Sequence, residues 1–364
     1  MHKINLGIIG LGLAWERLHA PALASLADKF KIVAVCDKDL EKAKGVAQSL
    51  GLCDDDAYND YNALLERPDI EAVESLVPIT GNYEVAAAIM RAKKHLIAEK
   101  PFASSPKAAY ELIKIRDMYG VKVMVAENMR YEEQNLLIKN LLTSGQIGNP
   151  IFFIDNHIVE YSQESKKGGF GQTAWRQYPE YAGGVLMDSG VHHVARMRYL
   201  FGDASSVYAK GRPSGLGFSP YSCINALLTF KENITGHYSF FLAGEETQAP
   251  LTGLRIFGTH GEIYLEEPHC GFVNISYKDI SRPSAAIAYT PKQGYVHELE
   301  DFYASLRTGG KIESTAEKAL GDIETVCALL ESAKTDQPQT PHETSKITAY
   351  VLPRVSQYPG AKSH

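Results

Sequence analysis

A chain of 364 residues with 45% hydrophobic and 22% charged side chains has the composition of a globular protein and the length of two domains. Its formal charge of −6 and its short basic runs, such as Lys93-Lys94 and Lys166-Lys167, argue against binding nucleic acid through many phosphate contacts, and no run approaches the ~20 apolar residues that a membrane span needs. The five cysteines (Cys36, Cys53, Cys223, Cys270, Cys327) are scattered and never spaced as C-x-x-C, which excludes a disulfide framework or cysteine-rich zinc site and fits a reducing, cytoplasmic setting.

The chain opens with Lys3 and the run I-N-L-G-I-I-G-L-G-L-A. This has the form of a short secretory signal with Ala20 as cleavage point, and equally of a buried strand entering a glycine turn. The sequence that follows favours the strand, because short apolar runs alternate with helical patterns over the first ~125 residues. Strands are predicted at Ile4–Ile9, Lys31–Cys36, Ala72–Val77, His95–Ala98 and Val121–Val125, and a helix at Pro106 behind Ser104-Ser105. Apolar strands without alternation require a parallel sheet covered on both faces, so this part reads as a doubly wound domain, residues 1–126.

Within it, Gly10 and Gly12 form a G-x-G turn (Gly10, Leu11, Gly12, Leu13, Ala14) that opens a helix, where backbone N–H groups can approach a pyrophosphate. Trp15 stands where a third glycine completes the motif. Asp37 ends the second strand, where a carboxylate can accept from both ribose hydroxyls of an adenosine and repel a 2′-phosphate. NAD is therefore expected, with NADP kept open by the neighbouring Lys38. Asp37 can instead cap the helix that starts near Asp39. E-K-P (Glu99, Lys100, Pro101) follows the fourth predicted strand and faces the carboxyl end of the sheet, where ligands of such folds bind.

After Glu127 the character changes. A helix over Tyr131–Ser144 leads to longer strands rich in Ile, Phe and Tyr: Ile151–Val159, Ile224–Phe230, Thr235–Leu242 and Leu254–Leu265, the last folded at a G-T-H-G hairpin turn. These predict a mainly antiparallel sheet in an α/β domain over residues 127–335. The glycine-rich stretch Ser162–Gly184 is a long loop of the kind that is usually functional or disordered. Helices return at Val296–Thr308 and Ala316–Thr335, with the last helices able to pack back on the first domain, and residues 336–364 form a polar arm.

The run Y-A-G-G-V-L-M-D-S-G-V-H-H-V places Asp188 and His192 four apart, on one face if helical, with His193 turned away as a packing residue. A metal site lacks further ligands at recognised spacing, so no metal is expected. A carboxylate beside an imidazole suits proton transfer. Together, G-x-G…D…E-K-P…G-G-x-L-x-D-x-G-x-H resembles the Gfo/Idh/MocA oxidoreductases (glucose-fructose oxidoreductase, inositol dehydrogenase and relatives) over about the first 335 residues.

The resemblance implies a Rossmann domain followed by an α/β domain whose large open sheet often mediates homo-oligomer formation. It implies nicotinamide-dependent hydride transfer at an alcohol carbon of a cyclic sugar or polyol. Lys100, Asp188 and His192 fall on the chemical positions; Met129, Arg130, Trp175 and Arg176 fall near substrate or nicotinamide positions. Val77, Pro78, Asn82, Glu99 and Asn128 join the glycine turn, Trp15, Asp37 and Lys38 as cofactor contacts. The chain departs from the family where Pro78-Ile79-Thr80-Gly81-Asn82 replaces P-N-x-x-H and where Ala195 replaces an aspartate. Three other readings stand beside this one: a silent dinucleotide-binding sensor or assembly protein, a sugar–sugar oxidoreductase with retained cofactor, and a metal-dependent hydrolase using Asp188, His192 and His193. Arg130, Lys166, Lys167 and Arg176 are the cations available to an anionic substrate group.

Overall fold

The structure, a computed structural model, describes residues 2–158, 168–215, 217–242, 252–266 and 270–341. The chain divides into two compact units. The first comprises Met1–Asn128 together with Gly294–Leu320, and the second Met129–Gln293 with the remainder from Gly321.

The first unit contains a six-stranded parallel sheet: β1 (Ile4–Ile9), β2 (Phe30–Cys36), β3 (Ala57–Tyr58), β4 (Ala72–Ser75), β5 (His95–Glu99) and β6 (Val123–Ala126), in the order β3-β2-β1-β4-β5-β6. β1 and β2 carry consecutive apolar residues because helices cover both faces, and Ile4, Leu6 and Ile8 are fully buried. Each such side chain contributes about 1.5–3 kcal/mol by leaving water. The strand order reverses direction at β1 and β4, and the crevice at the carboxyl ends of strands flanking such a reversal is where these sheets bind ligands. β3, two residues long, is absent from the sequence-based prediction.

The helix Gly294–Arg307 completes this unit, burying Glu298, Leu299 and Phe302. Val125 N–H donates to the Ser314 carbonyl at 3.0 Å, and Arg307 pairs with Glu71 through both Nη atoms at 2.6 Å.

The second unit is built on an eight-stranded sheet: β7 (Pro150–Ile158), β8 (Ala204–Pro213), β9 (Tyr221–Phe230), β10 (Thr235–Phe241), β11 (Gly253–Gly258), β12 (Gly261–Leu265), β13 (Phe272–Tyr277) and β14 (Ala285–Ala288). Its order is β14-β13-β12-β11-β7-β10-β9-β8, and every pairing is antiparallel except β7 with β10. Burial alternates along β7, so Phe153, Asp155 and His157 share the inner face, where Phe153 stacks on Phe201 of the helix Gly190–Phe201 with ring centroids 4.7 Å apart. Outward-facing Phe152, Leu227, Phe257 and Phe272 leave apolar surface on the other face, with Leu227 and Phe272 about half exposed.

The sheet is thus the large, mainly antiparallel one expected, with β8, β13 and β14 added. The C-terminal arm beyond residue 341 and the loop residues 159–167, including Lys166 and Lys167, lie outside the described residues. Among the described residues no helix is long and apolar enough to cross a membrane.

Candidate active site

The glycine turn follows β1 in a geometry that only glycine accommodates at its first position. Gly10 has φ +94°, and a Cβ there would sit 2.7 Å from the Leu76 carbonyl oxygen. Gly12 differs: no described atom lies within 4 Å of where its Cβ would be, so space stands open above the turn. That opening, at the start of a helix, fits close approach of a pyrophosphate.

The turn is held by Asp37, just past β2. Asp37 Oδ2 accepts from Leu11 N–H at 2.9 Å, and Oδ1 from Asp39 N–H at 3.1 Å. The capping role belongs to its neighbour, since Asp39 accepts from Lys42 N–H at the start of the helix Leu40–Ser49. Each carboxylate oxygen has a further lone pair, so Asp37 retains acceptor capacity for ribose hydroxyls. Lys38 is exposed, and Lys42, which the sequence reading passed over, places Nζ 3.8 Å from Asp37 Oδ2.

Trp15 is not an open-site residue: its side chain is 4% exposed, and Leu13 and Ala14 lead into a π-helical turn, Trp15–His19, where Ala20 N–H donates to the Trp15 carbonyl. Such single π turns recur at functional sites. Val77 and Pro78, after β4, remain partly open. Asn82 is buried, and its Nδ2 donates to the Pro101 carbonyl at 2.8 Å and the Glu99 carbonyl at 3.4 Å. Asn82 therefore grips the turn around Lys100. Glu99 is buried, with Oε2 accepting from Lys100 N–H at 2.8 Å and Oε1 3.0 Å from His19 Nε2. Lys100 is half-buried, and Asn128, after β6, is 9% exposed.

In the second unit, Gly183 and Gly184 open the short helix Val185–Asp188, which is followed after Ser189 by the helix Gly190–Phe201. A Cβ on Gly184 would lie 2.0 Å from the Phe218 carbonyl oxygen, which accepts from Val185 N–H. Asp188 is 4% exposed, and its Oδ2 accepts from Arg176 Nε at 2.6 Å. Arg176 lies on the short helix Ala174–Gln177, within the loop that the sequence left without structure, and its guanidinium carbon is 4.0 Å from the Trp175 ring centroid. His192, four residues past Asp188 and in the next helix, is half-buried.

His193 is buried, its Nδ1 3.0 Å from Tyr238 Oη and its ring stacked on His157 with centroids 3.3 Å apart. Burial, and then the neighbouring His157 and Arg196, hold His193 well below the ordinary histidine range. Beneath it, burial pushes the Asp155 carboxyl up, but Arg196 and His157 more than offset this and bring it to about 2.

Arg130 departs from the expected substrate contact. Its guanidinium is 2% exposed, and Nη2 donates to both carboxylate oxygens of Asp322 at 2.8 and 2.7 Å. Arg198 pairs with the same carboxylate. A buried, doubly bonded guanidinium is structural, because freeing it would leave Asp322 unpaired in the core. Met129, next to it, is half-buried, with its carbonyl accepting from Asn135 Nδ2 at 2.7 Å. Among the described residues no group of three or more His, Cys, Asp or Glu side chains could hold a metal ion.

A glycine turn tied to an acidic residue after the first two strands of a parallel sheet defines a dinucleotide-binding unit of the Rossmann class. The chain belongs to the Gfo/Idh/MocA family: residues 4–127 match its N-terminal model, described as "Oxidoreductase family, NAD-binding Rossmann fold", and residues 139–340 its C-terminal alpha/beta domain. The cofactor of this domain is NAD. An uncharacterized oxidoreductase of Rhizobium meliloti is 27% identical over 348 residues, spanning 92% of this chain and 98% of that protein. The scyllo-inositol 2-dehydrogenase (NADP(+)) IolW of Bacillus subtilis is 28% identical over 206 residues, 57% of this chain and 54% of that protein. Among solved structures, an oxidoreductase from Thermotoga maritima superposes with a TM-score of 0.83 at 26% identity, covering 94% of this chain and 99% of that one.

Proposed function

We propose that the protein is a dehydrogenase that uses NAD in preference to NADP and oxidises a secondary alcohol on a cyclic sugar or polyol, reversibly. The observation that carries this reading is the junction of the helices Val185–Asp188 and Gly190–Phe201: a buried carboxylate, Asp188, held by Arg176, four residues before the half-buried imidazole of His192. A polar pair of this kind, embedded in an apolar run, has no packing role that an apolar residue would not serve better.

A bound nicotinamide supplies the acceptor for the carbinol hydride. His192 receives the hydroxyl proton, the work that imidazoles most often do in enzymes. Asp188, oriented by Arg176, holds the imidazole or an adjacent hydroxyl. Lys100 donates to the reacting oxygen and stabilises the charge that develops on it. Trp175 offers an apolar face to a sugar ring, and Arg176 stiffens that wall by lying over it. Asp37 takes the ribose hydroxyls and disfavours a 2′-phosphate. The inositol dehydrogenase among the relatives supports a cyclic polyol as substrate class.

The outer face of the eight-stranded sheet, with Phe152, Leu227, Phe257 and Phe272, is the surface we assign to self-association. The test is calorimetric titration with NAD⁺ and NADP⁺, followed by a screen of inositols and aldoses through nicotinamide absorbance. NAD⁺ binding with turnover that falls about 10²–10⁴-fold in His192→Ala is expected. Failure of the folded protein to bind either nucleotide would overturn the reading.

A further inference from the structure

Beneath the glycine turn the first unit buries an acidic cluster around one histidine. His19 is fully buried at the end of the π-helical turn, with Nδ1 2.8 Å from Glu74 Oε1 on β4 and Nε2 3.0 Å from Glu99 Oε1 on β5. The helix Gly294–Arg307 adds the Tyr295 ring, edge-on at 5.2 Å, and Glu298, whose two carboxyl oxygens have no hydrogen-bond partner among the described residues; Glu127 follows β6. An imidazole between two carboxylates donates to both only as the cation, which carries two N–H groups. Burial pulls the imidazole down, and Glu74 and Glu99 reverse this, so that it lies well above the ordinary histidine range.

Glu99 faces two ways. One oxygen meets His19, and the other accepts from the backbone N–H of Lys100. Asn82 holds the carbonyls on either side of Lys100.

We propose that His19 is a positioning residue for Lys100: clamped between Glu74 and Glu99, it fixes the carboxylate that in turn fixes the Lys100 backbone, and so ties the turn after Gly10–Gly12 to the turn that carries Lys100. The importance of that placement rests on the role proposed for Lys100; the placement itself does not. The two turns then move as one body, and a dinucleotide that orders the first also orders the second. Glu74 stands on the far side of the imidazole from Glu99, so it reaches the Lys100 turn through His19.

The test reads Lys100 directly. In protein labelled with ¹⁵N-lysine, the Lys100 amide is assigned by its loss in Lys100→Arg, and its hydrogen exchange is measured in wild type, His19→Gln and Glu99→Gln. Gln at position 19 reaches one carboxylate and not both, so the Lys100 amide should shift and exchange about 10-fold faster or more, while Lys31 and Lys42 in the same unit stay in place. Glu99→Gln keeps an acceptor for Lys100 N–H and a donor for a neutral imidazole, and should preserve the wild-type signal. If His19→Gln does not fold, Glu74→Ala must still displace the Lys100 amide, because it loosens only the far end of the clamp. A Lys100 amide unmoved in His19→Gln, or in Glu74→Ala where His19→Gln does not fold, would overturn the proposal. NAD⁺ titration of the same wild-type sample tests the dehydrogenase reading separately, since its failure would leave the Lys100 comparison intact.

Discussion

Arg176 Nε donates to Asp188 Oδ2 at 2.6 Å, which makes the candidate catalytic carboxylate one half of a partly shielded ion pair instead of a free base. Removing the guanidinium leaves Asp188 buried with its charge less well met, a cost of about 1–3 kcal/mol. Arg176→Ala should therefore lower the melting temperature and slow turnover together. Arg176→Lys should rescue little, since an ammonium cannot reproduce a planar Nε–H contact while lying over Trp175. Thermal denaturation and steady-state rates check both.

Asp37→Ser should reverse the nucleotide preference. The substitution removes the charge that opposes a 2′-phosphate and leaves exposed Lys38, with Lys42 close by, to meet one. The ratio of NAD⁺ to NADP⁺ affinity should fall by about 10- to 100-fold, the worth of one hydrogen bond to a charged group. Parallel titrations of the two nucleotides measure it, and an unchanged ratio would mean that Asp37 serves only to hold the Leu11 and Asp39 amides.

Two glycines should respond in opposite ways. Gly12→Ala adds a methyl group where no described atom stands within 4 Å, so the melting temperature should hold while NAD⁺ affinity drops. Gly184→Ala places a methyl group 2.0 Å from the Phe218 carbonyl at a φ of +49°, so stability should fall, by about 1–3 kcal/mol.

Glu298 predicts a pH dependence of stability. Burial pushes its carboxyl well above the ordinary value of 4.5, His19 pulls it back, and Glu99, Glu74 and Glu127 push it further up. The native state then binds a proton that the unfolded state releases, so this contribution is fully present below pH 4.5 and is lost as pH rises toward the native value. The slope reaches about 1.4 kcal/mol per pH unit. Glu298→Gln should flatten it between pH 4.5 and 6.5, below the range where the raised value of His19 adds a slope of the same sign. Denaturant midpoints across that window decide the matter.

Five of the six strands of the Rossmann sheet were legible because each is a short apolar run ended by a turn signal, and Asp37 because it closes such a run; β3, with two residues, is too short to leave one. β14, A-A-I-A, was not: it is short and exposed, with no alternation to mark it. The placement of β7 between β10 and β11 was not legible either, because Phe152 pairs with Thr235 on one side and Phe257 on the other, and distant pairing leaves no local trace. In the site, sequence reading reached Lys100, Asp188 and His192 as residues but not the contacts that hold them. Arg176 finds Asp188 across a loop, and Arg130, read as a substrate contact, is drawn into the core by Asp322 far along the chain. One signal went unused: Glu74 sits inside the apolar strand A-V-E-S-L-V, and a charge there requires a buried partner, which is His19.

The nucleotide-binding unit is discontinuous, closed by the segment Gly294–Leu320 after the whole second sheet has intervened. A ribosome therefore releases β1 to β6 long before the helix that supplies Tyr295, Glu298, Leu299 and Phe302 exists. Until then the nascent sheet stands with one flank unclad and its acidic cluster open to water. Expression of residues 1–128 alone should yield a chain that aggregates or recruits chaperones rather than a working nucleotide binder, whereas grafting the closing segment onto its end by a short linker should restore a soluble one. Synthesis order, more than the active site, thus sets where this chain can be cut.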